Sequence, residues 1–352
     1  MKQKLYLALA SILMVALVLA GCSSSQPPKA ALEAAMKKTM EAKSYKLSMT
    51  MQIDELDLGD AASMQATGFT PDVTGLIKDA TIKVDAVYEK EPLRTDMNLA
   101  ITLPGMMDMK LELPIIVTEK EMYLKLPNIP LLQLPEEVTG KFVKLDMEEL
   151  AQESGAGASL DMAAQQKLSG ELSAAVLKHF DEKTYFSQLK AADAGLPEGY
   201  KADKVVKFAI TNDNYAATVD TIVNQVVPEV LDVLIANEAY LASINADKAE
   251  LEEAKQNYES GKAELKKVLT EQLKISELEL VGAIKDGYVG YQKGKFGVQI
   301  SDPELGQDMK LGLSFSAQYS DFNKEAQFEQ ELPTDTISFD ELMNTFMGAG
   351  GL

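Results

Sequence analysis

Between Lys29 and Lys43, Leu32, Met36 and Met40 recur every four residues among lysines and glutamates, which predicts a short amphipathic helix. The period then drops to two. Tyr45, Leu47, Met49, Met51 and Ile53 alternate with Lys46, Ser48, Thr50 and Gln52, predicting a strand with one apolar and one wet face. The same alternation returns at Ile82 to Tyr88, Met97 to Leu103, Met109 to Val117 and Met122 to Leu126, with Pro114 marking an edge or a bend. Such a run reads as an antiparallel meander whose apolar face must be covered.

Residues 152–159 are a low-complexity connector of Gly, Ala and Ser. A helix with Leu168, Leu172, Val176 and Phe180 on one stripe follows, then a short strand from Val205 to Thr211. Val219 to Leu234 forms a strongly apolar helix that should lie against the sheet and break or kink at Pro228. Residues 246–272 predict a charged helix of ~40 Å, capped by Asn245. Its apolar positions favour pairing with residues 215–236 as a helical hairpin over an arm for a partner. Period two returns at Leu278 and Leu280, at Val289 and Tyr291, and at Phe296, Val298 and Ile300. It is cleanest from Met309 through Leu311, Leu313, Phe315 and Ala317 to Tyr319. A last helix opens with the capping-box pair Ser338 and Glu341, with Ile337 and Leu342 placed as a hydrophobic staple. The order is helix, strands, helices, strands, helix: an α+β protein on one large antiparallel sheet or two stacked halves.

The N-terminus changes the picture. Lys2 and Lys4 precede an apolar run from Leu5 to Ala20, which closes on Leu19-Ala20-Gly21-Cys22. This is the pattern of a secretory signal peptide, and the closing tetrapeptide resembles the bacterial lipobox, with cleavage after Gly21 and diacylglycerol on the Cys22 thiol. An uncleaved anchor is disfavoured because the run is short of the ~20 residues that span a bilayer. The expected division is a signal peptide at 1–21, a flexible tether at 22–28 and one domain at 29–352 that includes the helical segment 213–272. The expected location is outside the cytoplasmic membrane of a bacterium, held to it by the lipid on Cys22. Lipidation uses up the only cysteine in the chain, so no free thiol, disulfide or multi-cysteine metal site is expected.

Composition narrows the function classes. At 352 residues, with 46% hydrophobic and 25% charged positions, the chain is long and apolar enough for a core. A net charge of −20 argues against nucleic acid or anionic lipid headgroups as electrostatic partners. The single histidine, His179, falls near a helix end, where the dipole favours cations, and leaves little room for triad or His-metal chemistry. No nucleophile-elbow, phosphate-loop or zinc-protease motif occurs, so no catalytic residue and no cofactor is expected. The seventeen methionines include Met49, Met51 and the group Met106, Met107 and Met109, but Met49 and Met51 already fall in the apolar register of a strand. Packing or a deformable acyl-chain surface therefore outweighs copper ligation. Asp54, Asp57 and Asp60 lack EF-hand spacing and read as a solvated loop, so no metal site is expected.

Together, the lipobox, the short helix and Ala42-Lys43-Ser44-Tyr45-Lys46-Leu47-Ser48-Met49 running into a meander resemble bacterial lipoproteins of the LolA/LppX-like superfamily. The likeness is greatest to Gram-positive lipoproteins with that fold. It covers mainly residues 29–126 and 275–346, by pattern rather than by motif. The resemblance implies a curved half-barrel sheet whose concave face is covered by helices, with an apolar cavity for lipid or acyl chains between them. The expected function is thus a non-enzymatic lipoprotein that binds a hydrophobic ligand. The candidate lining is Leu47, Met49 and Met51 on the first strand and Leu311, Leu313 and Phe315 on the last long one. The alternative is an envelope lipoprotein that contacts a partner protein through its helical hairpin.

Overall fold

A computed structural model of the chain describes residues 26–57, 77–104, 109–127, 138–147, 162–243, 246–302 and 307–348. Cys22, Gly21, Asp60, Met106, Met107, Asn245, most of the tether and the 152–159 connector lie outside these residues. The fold is α+β, built on one large, open, curved sheet. Its strands are β1 (Ser44–Asp57), β2 (Thr81–Lys90), β3 (Leu93–Leu103), β4 (Met109–Thr118), β5 (Glu121–Lys125), β6 (Phe142–Asp146), β7 (Phe186–Leu189), β8 (Lys204–Ile210), β9 (Leu273–Lys285), β10 (Tyr288–Asp302), β11 (Gln307–Ser320) and β12 (Thr336–Ser338). They lie in the order β12-β6-β5-β4-β3-β2-β1-β11-β10-β9-β8-β7. Two meanders therefore meet where β1 pairs antiparallel with β11, and the β12–β6 pair alone is parallel among the described strands.

The helices are α1 (Pro28–Met40), α2 (Met162–Lys178), α3 (Glu182–Tyr185), α4 (Tyr215–Thr221), α5 (Val227–Ile235), α6 (Glu238–Ser243), α7 (Lys248–Glu271) and α8 (Phe339–Gly348). α1 starts on Pro28, whose fixed φ and missing N–H suit a first turn. Ala31 and Ala35 bring it close to the sheet, and Gly282 completes the approach: a Cβ there would lie 2.9 Å from the Leu32 side chain. The break expected at Pro228 takes another form. α4 runs through a π-helical turn at Ile222–Val226 into α5, whose second residue is Pro228, so the wide turn spares the backbone a clash with the ring. α7 is capped by Asp247, whose carboxylate accepts from Ala249 N at 2.7 Å and Glu250 N at 3.4 Å, rather than by Asn245. It lies beside α4 and α5 through Lys266–Asp220 at 2.5 Å, the Lys255–Asp232 pair, and a bond from Tyr258 OH to the Val223 carbonyl at 2.6 Å.

Two cores sandwich the β7–β10 end of the sheet. On one face, Val206, Phe208, Ile210, Ile284 and Val289 pack under α1, α2 and the α4–α5 stretch together with Phe180, Tyr185 and Phe186. On the other, Val205, Val281, Ala283 and Tyr291 pack under Ala194 and Leu196. Val289 and Tyr291, read from the sequence as one alternating pair, lie on opposite faces. A bulge between them shifts the register of β10 against β9. Three elements escaped the alternation: β7 and β12 are too short to show a period, and in β6 the adjacent Phe142 and Val143 blur it. Pro114 sits where expected of a β-breaker. β5 pairs with β4 only through Ile115–Val117, so Pro114 adjoins a stretch of β4 that has β3 as its sole described neighbour.

Candidate ligand-binding face

The register of seven strands arranges their apolar side chains in rows. Residues directly opposite across antiparallel pairs share a face. One row runs Phe315, Met51, Ile82, Ile101, Leu111 across β11, β1, β2, β3 and β4. The next runs Ala317, Met49, Val84, Leu99, Leu113. A third runs Tyr319, Leu47, Ala86, Met97, Ile115 and reaches Leu124 on β5 and Val143 on β6. Leu313 stands opposite Ile53 and Leu311 opposite Leu56 at the far end of β11. All six residues expected to line a ligand site, Leu47, Met49, Met51, Leu311, Leu313 and Phe315, thus stand on one side of the sheet.

That side is continuous with the helix-covered face of β8–β10, because Phe296 and Gly294 on β10 stand opposite Leu278 and Leu280 on β9. Among the described residues the cover does not extend with it. The resemblance implied helices over the sheet's face, yet α1, α2 and the α4–α7 stretch pack on β7–β10. No described helix packs substantially on β1–β5. Leu47, Met49, Met51, Leu311, Leu313 and Phe315 are half-buried and none is fully enclosed. Leu280 at 41%, Phe296 at 37% and Ile300 at 38% exposure border the same surface. Gly294 lets the Phe315 ring and the Leu280 side chain close over its backbone, where a Cβ would collide with both.

The ends of this surface are built differently. At one end, Tyr45 stacks on Tyr88 at 4.8 Å and meets Tyr319 edge-on at 5.5 Å, and Tyr288 stacks on Phe322 at 4.3 Å. The Lys38 ammonium lies 4.1 Å over the Tyr288 ring, and Asn323 donates to Tyr288 OH at 2.8 Å. Burial, with the neighbouring Tyr319 and Tyr88 hydroxyls adding to it, pushes the Tyr45 phenol up to about 12. At the β6 edge, α8 folds back onto the same face, with Leu342 buried against Val138 and Val143 and Ile337 packed beside it. The capping box at its start is made as the sequence predicts. Ser338 N donates to the Glu341 carboxylate at 3.0 Å, and Glu341 N to Ser338 Oγ at 3.1 Å.

The remaining sequence candidates are dispersed. Asp54 accepts from Ser314 at 3.0 Å on the polar face, Glu55 lies 3.7 Å from Lys310, and the described residues hold no cluster of three His, Cys, Asp or Glu suited to a metal. Beyond the end of α2, His179 contacts Glu229 through Nε2 and Gln225 through Nδ1 at 2.9 Å, tying α2 to the π turn and α5. The Lys178 ammonium beside Glu229, with His179 on its other oxygen, holds that carboxyl below the usual range. No helix among the described residues is long and apolar enough to cross a membrane. The contributions of Ile82, Val84, Leu99, Ile101, Leu111 and Leu113 to the face were legible in their alternation. Their adjacency to β11 was not, because it depends on a long-range pairing. Comparison with known protein families matches none of them to this chain, and no curated protein matches its sequence.

Proposed function

We propose that the protein is a non-enzymatic lipoprotein, anchored through diacylglycerol on Cys22 outside the cytoplasmic membrane, that binds a lipid or acyl chain on the apolar face of β11–β5. The observation that carries this reading is the half-exposed row structure itself. Monomeric proteins rarely leave so wide an apolar surface open, and where they do it commonly serves binding. The sheet is read as a half-barrel, with the helical layer on β7–β10 as one wall and α8 as the other. Leu47, Met49, Met51, Leu311, Leu313 and Phe315 form its floor. Methionines suit that floor because their unbranched thioethers repack around flexible chains. Nucleic acid is not among the partners proposed, in keeping with the acidic charge.

Native mass spectrometry of the lipid-anchored protein from its own membrane tests this. The reading expects a stoichiometric co-purified lipid that is lost on Met49→Asp. Protein that is ligand-free and takes up no lipid on reconstitution would refute it. A second reading rests on α7, none of whose residues is buried although it spans Lys248–Glu271. In that reading α4, α5 and α7 form a hairpin that contacts an envelope protein, and cross-linking from the outer side of α7 would capture one partner reproducibly.

A further inference from the structure

The opposite side of the same strands carries a second feature. Residues that alternate with the apolar rows place Lys293 opposite Ser316, which stands opposite Thr50, and Lys295 opposite Ser314, which stands opposite Gln52. These six side chains border a depression of about 240 Å³, with Tyr291 and Glu279 at its rim. Four lysines of the surrounding strands are engaged: Lys207 with Glu279 at 2.5 Å, Lys83 with Asp85 at 2.8 Å, Lys46 with Asp321 at 3.7 Å and Lys310 with Glu55 at 3.7 Å. Lys293 and Lys295 differ. Among the described residues neither makes an ion pair or a hydrogen bond, in a chain whose net charge is −20 and whose carboxylates outnumber its cations.

The surroundings keep this pair available. Glu279 stands directly opposite Lys295 across β9 and β10, yet its carboxylate is turned to Lys207. Asp54, the other nearby acid, is bonded by Ser314 Oγ. Lys293 is half-buried and reaches the turn at Gly195, where a Cβ would stand 2.6 Å from its ammonium; Gly195, at φ +58°, leaves it that room. Two ammonium groups side by side without a counter-charge favour an anion between them.

We propose that this depression binds a small phosphate ester. Two ammonium groups act as point charges, and the Ser316 and Thr50 hydroxyls supply single donors from separate strands, while the Ser314 hydroxyl proton is held by Asp54. That set suits a tetrahedral oxyanion better than a planar carboxylate, which favours the forked guanidinium of arginine. The volume admits phosphate with a group of about glycerol size. The site faces away from the apolar rows, with the sheet between them, so it does not depend on the lipid-binding reading.

Isothermal calorimetry on the full-length protein in a neutral detergent, titrated with inorganic phosphate and with glycerol 3-phosphate, tests the proposal. Flotation with phosphatidylglycerol vesicles, against phosphatidylcholine vesicles, separates a lipid headgroup from a free ester as the source. The expected result is saturable binding of glycerol 3-phosphate that Lys293→Gln with Lys295→Gln weakens at least tenfold and that added salt weakens too. Vesicle binding that is specific for the anionic lipid and lost in the same double variant would also support the site, with the headgroup as its ligand. Lys295→Gln alone, at an exposed position, decides the matter if the double variant does not fold. The absence of saturable binding to every probe, or unchanged binding in the lysine variants, would overturn the proposal.

Discussion

On β8, Val206, Phe208 and Ile210 are buried beneath α1 and the α4–α5 stretch, whereas on β1, Leu47, Met49 and Met51 stay half-buried with no described helix above them. β1 alternates apolar and polar residues, whereas β8, Lys-Val-Val-Lys-Phe-Ala-Ile, also buries Val205 on its other face; the residues compared lie on one side of one sheet. What differs is the helical cover. β8 is reached through α2 and α3 and leads into the α4–α7 stretch, so helices arrive at that end with the chain. β2 passes to β3 through Glu91-Pro92, and β4 to β5 through Glu119-Lys120, turns that carry no cover. The difference teaches that alternation fixes which face is apolar, while the placement of the helices decides whether that face becomes a core or a surface, since α1 leads into β1 yet packs on β7–β10.

The largest effect that would sharpen the contrast is in the covered half. Phe208 lies 5.4 Å from Phe180, 6.0 Å from Tyr185 and 5.2 Å from Phe186, ring to ring, so Phe208→Ala should cost ~3–5 kcal/mol in denaturant unfolding. A smaller cost would mean that this end is loosely packed too. Gly282→Val, which pushes against Leu32, should cost ~1–3 kcal/mol through overpacking between α1 and the sheet. In the open half, Leu313→Ala should cost below ~2 kcal/mol, because half-buried Leu313 lacks neighbours on one side. A loss of Phe208 size there would show the face to be closed. Asp247→Ala, which removes a helix cap from α7, should cost ~1 kcal/mol and leave both faces unchanged.

The smallest effect is a pH dependence at the tyrosine end. Tyr45 is held at about 12 in the folded protein, above the ordinary value of 10.0 that it regains on unfolding, so the unfolded chain releases the proton first. Its contribution to stability is therefore full below pH 10 and is lost as pH rises towards 12. Unfolding across that window, followed with the tyrosinate absorbance, should show this slope, and Tyr45→Phe should reduce it, the other tyrosines raised by burial, such as Tyr88 and Tyr319, supplying the rest.

Much of this contrast was legible in the sequence. Leu47 to Ile53 and Met309 to Tyr319 announce their faces because a slip of one residue would invert them. Ser338 and Glu341 announce α8 because a capping box is a local device. The bulge at Val289 and Tyr291 was not legible, since it is a relation between β9 and β10 rather than a pattern within one strand. Nor was the pairing of β1 with β11, which joins Met51 to Phe315 across most of the chain. The depression beside Lys293 and Lys295 was missed for the same reason: its hydroxyls and ammonium groups come from β1, β10 and β11, and none forms a motif alone.

The central claim is that the face carrying Met49 and Phe315 is an open acyl-binding surface and not an unfinished core. A titration of the purified protein with a fluorescent long-chain fatty acid tests it most directly, comparing the wild type with Met49→Asp and Phe208→Leu. The account predicts saturable binding by the wild type, a loss of at least tenfold with Met49→Asp, and little change with Phe208→Leu, which alters the covered half alone. No saturable binding by the folded wild type, or equal binding by Met49→Asp, would contradict it.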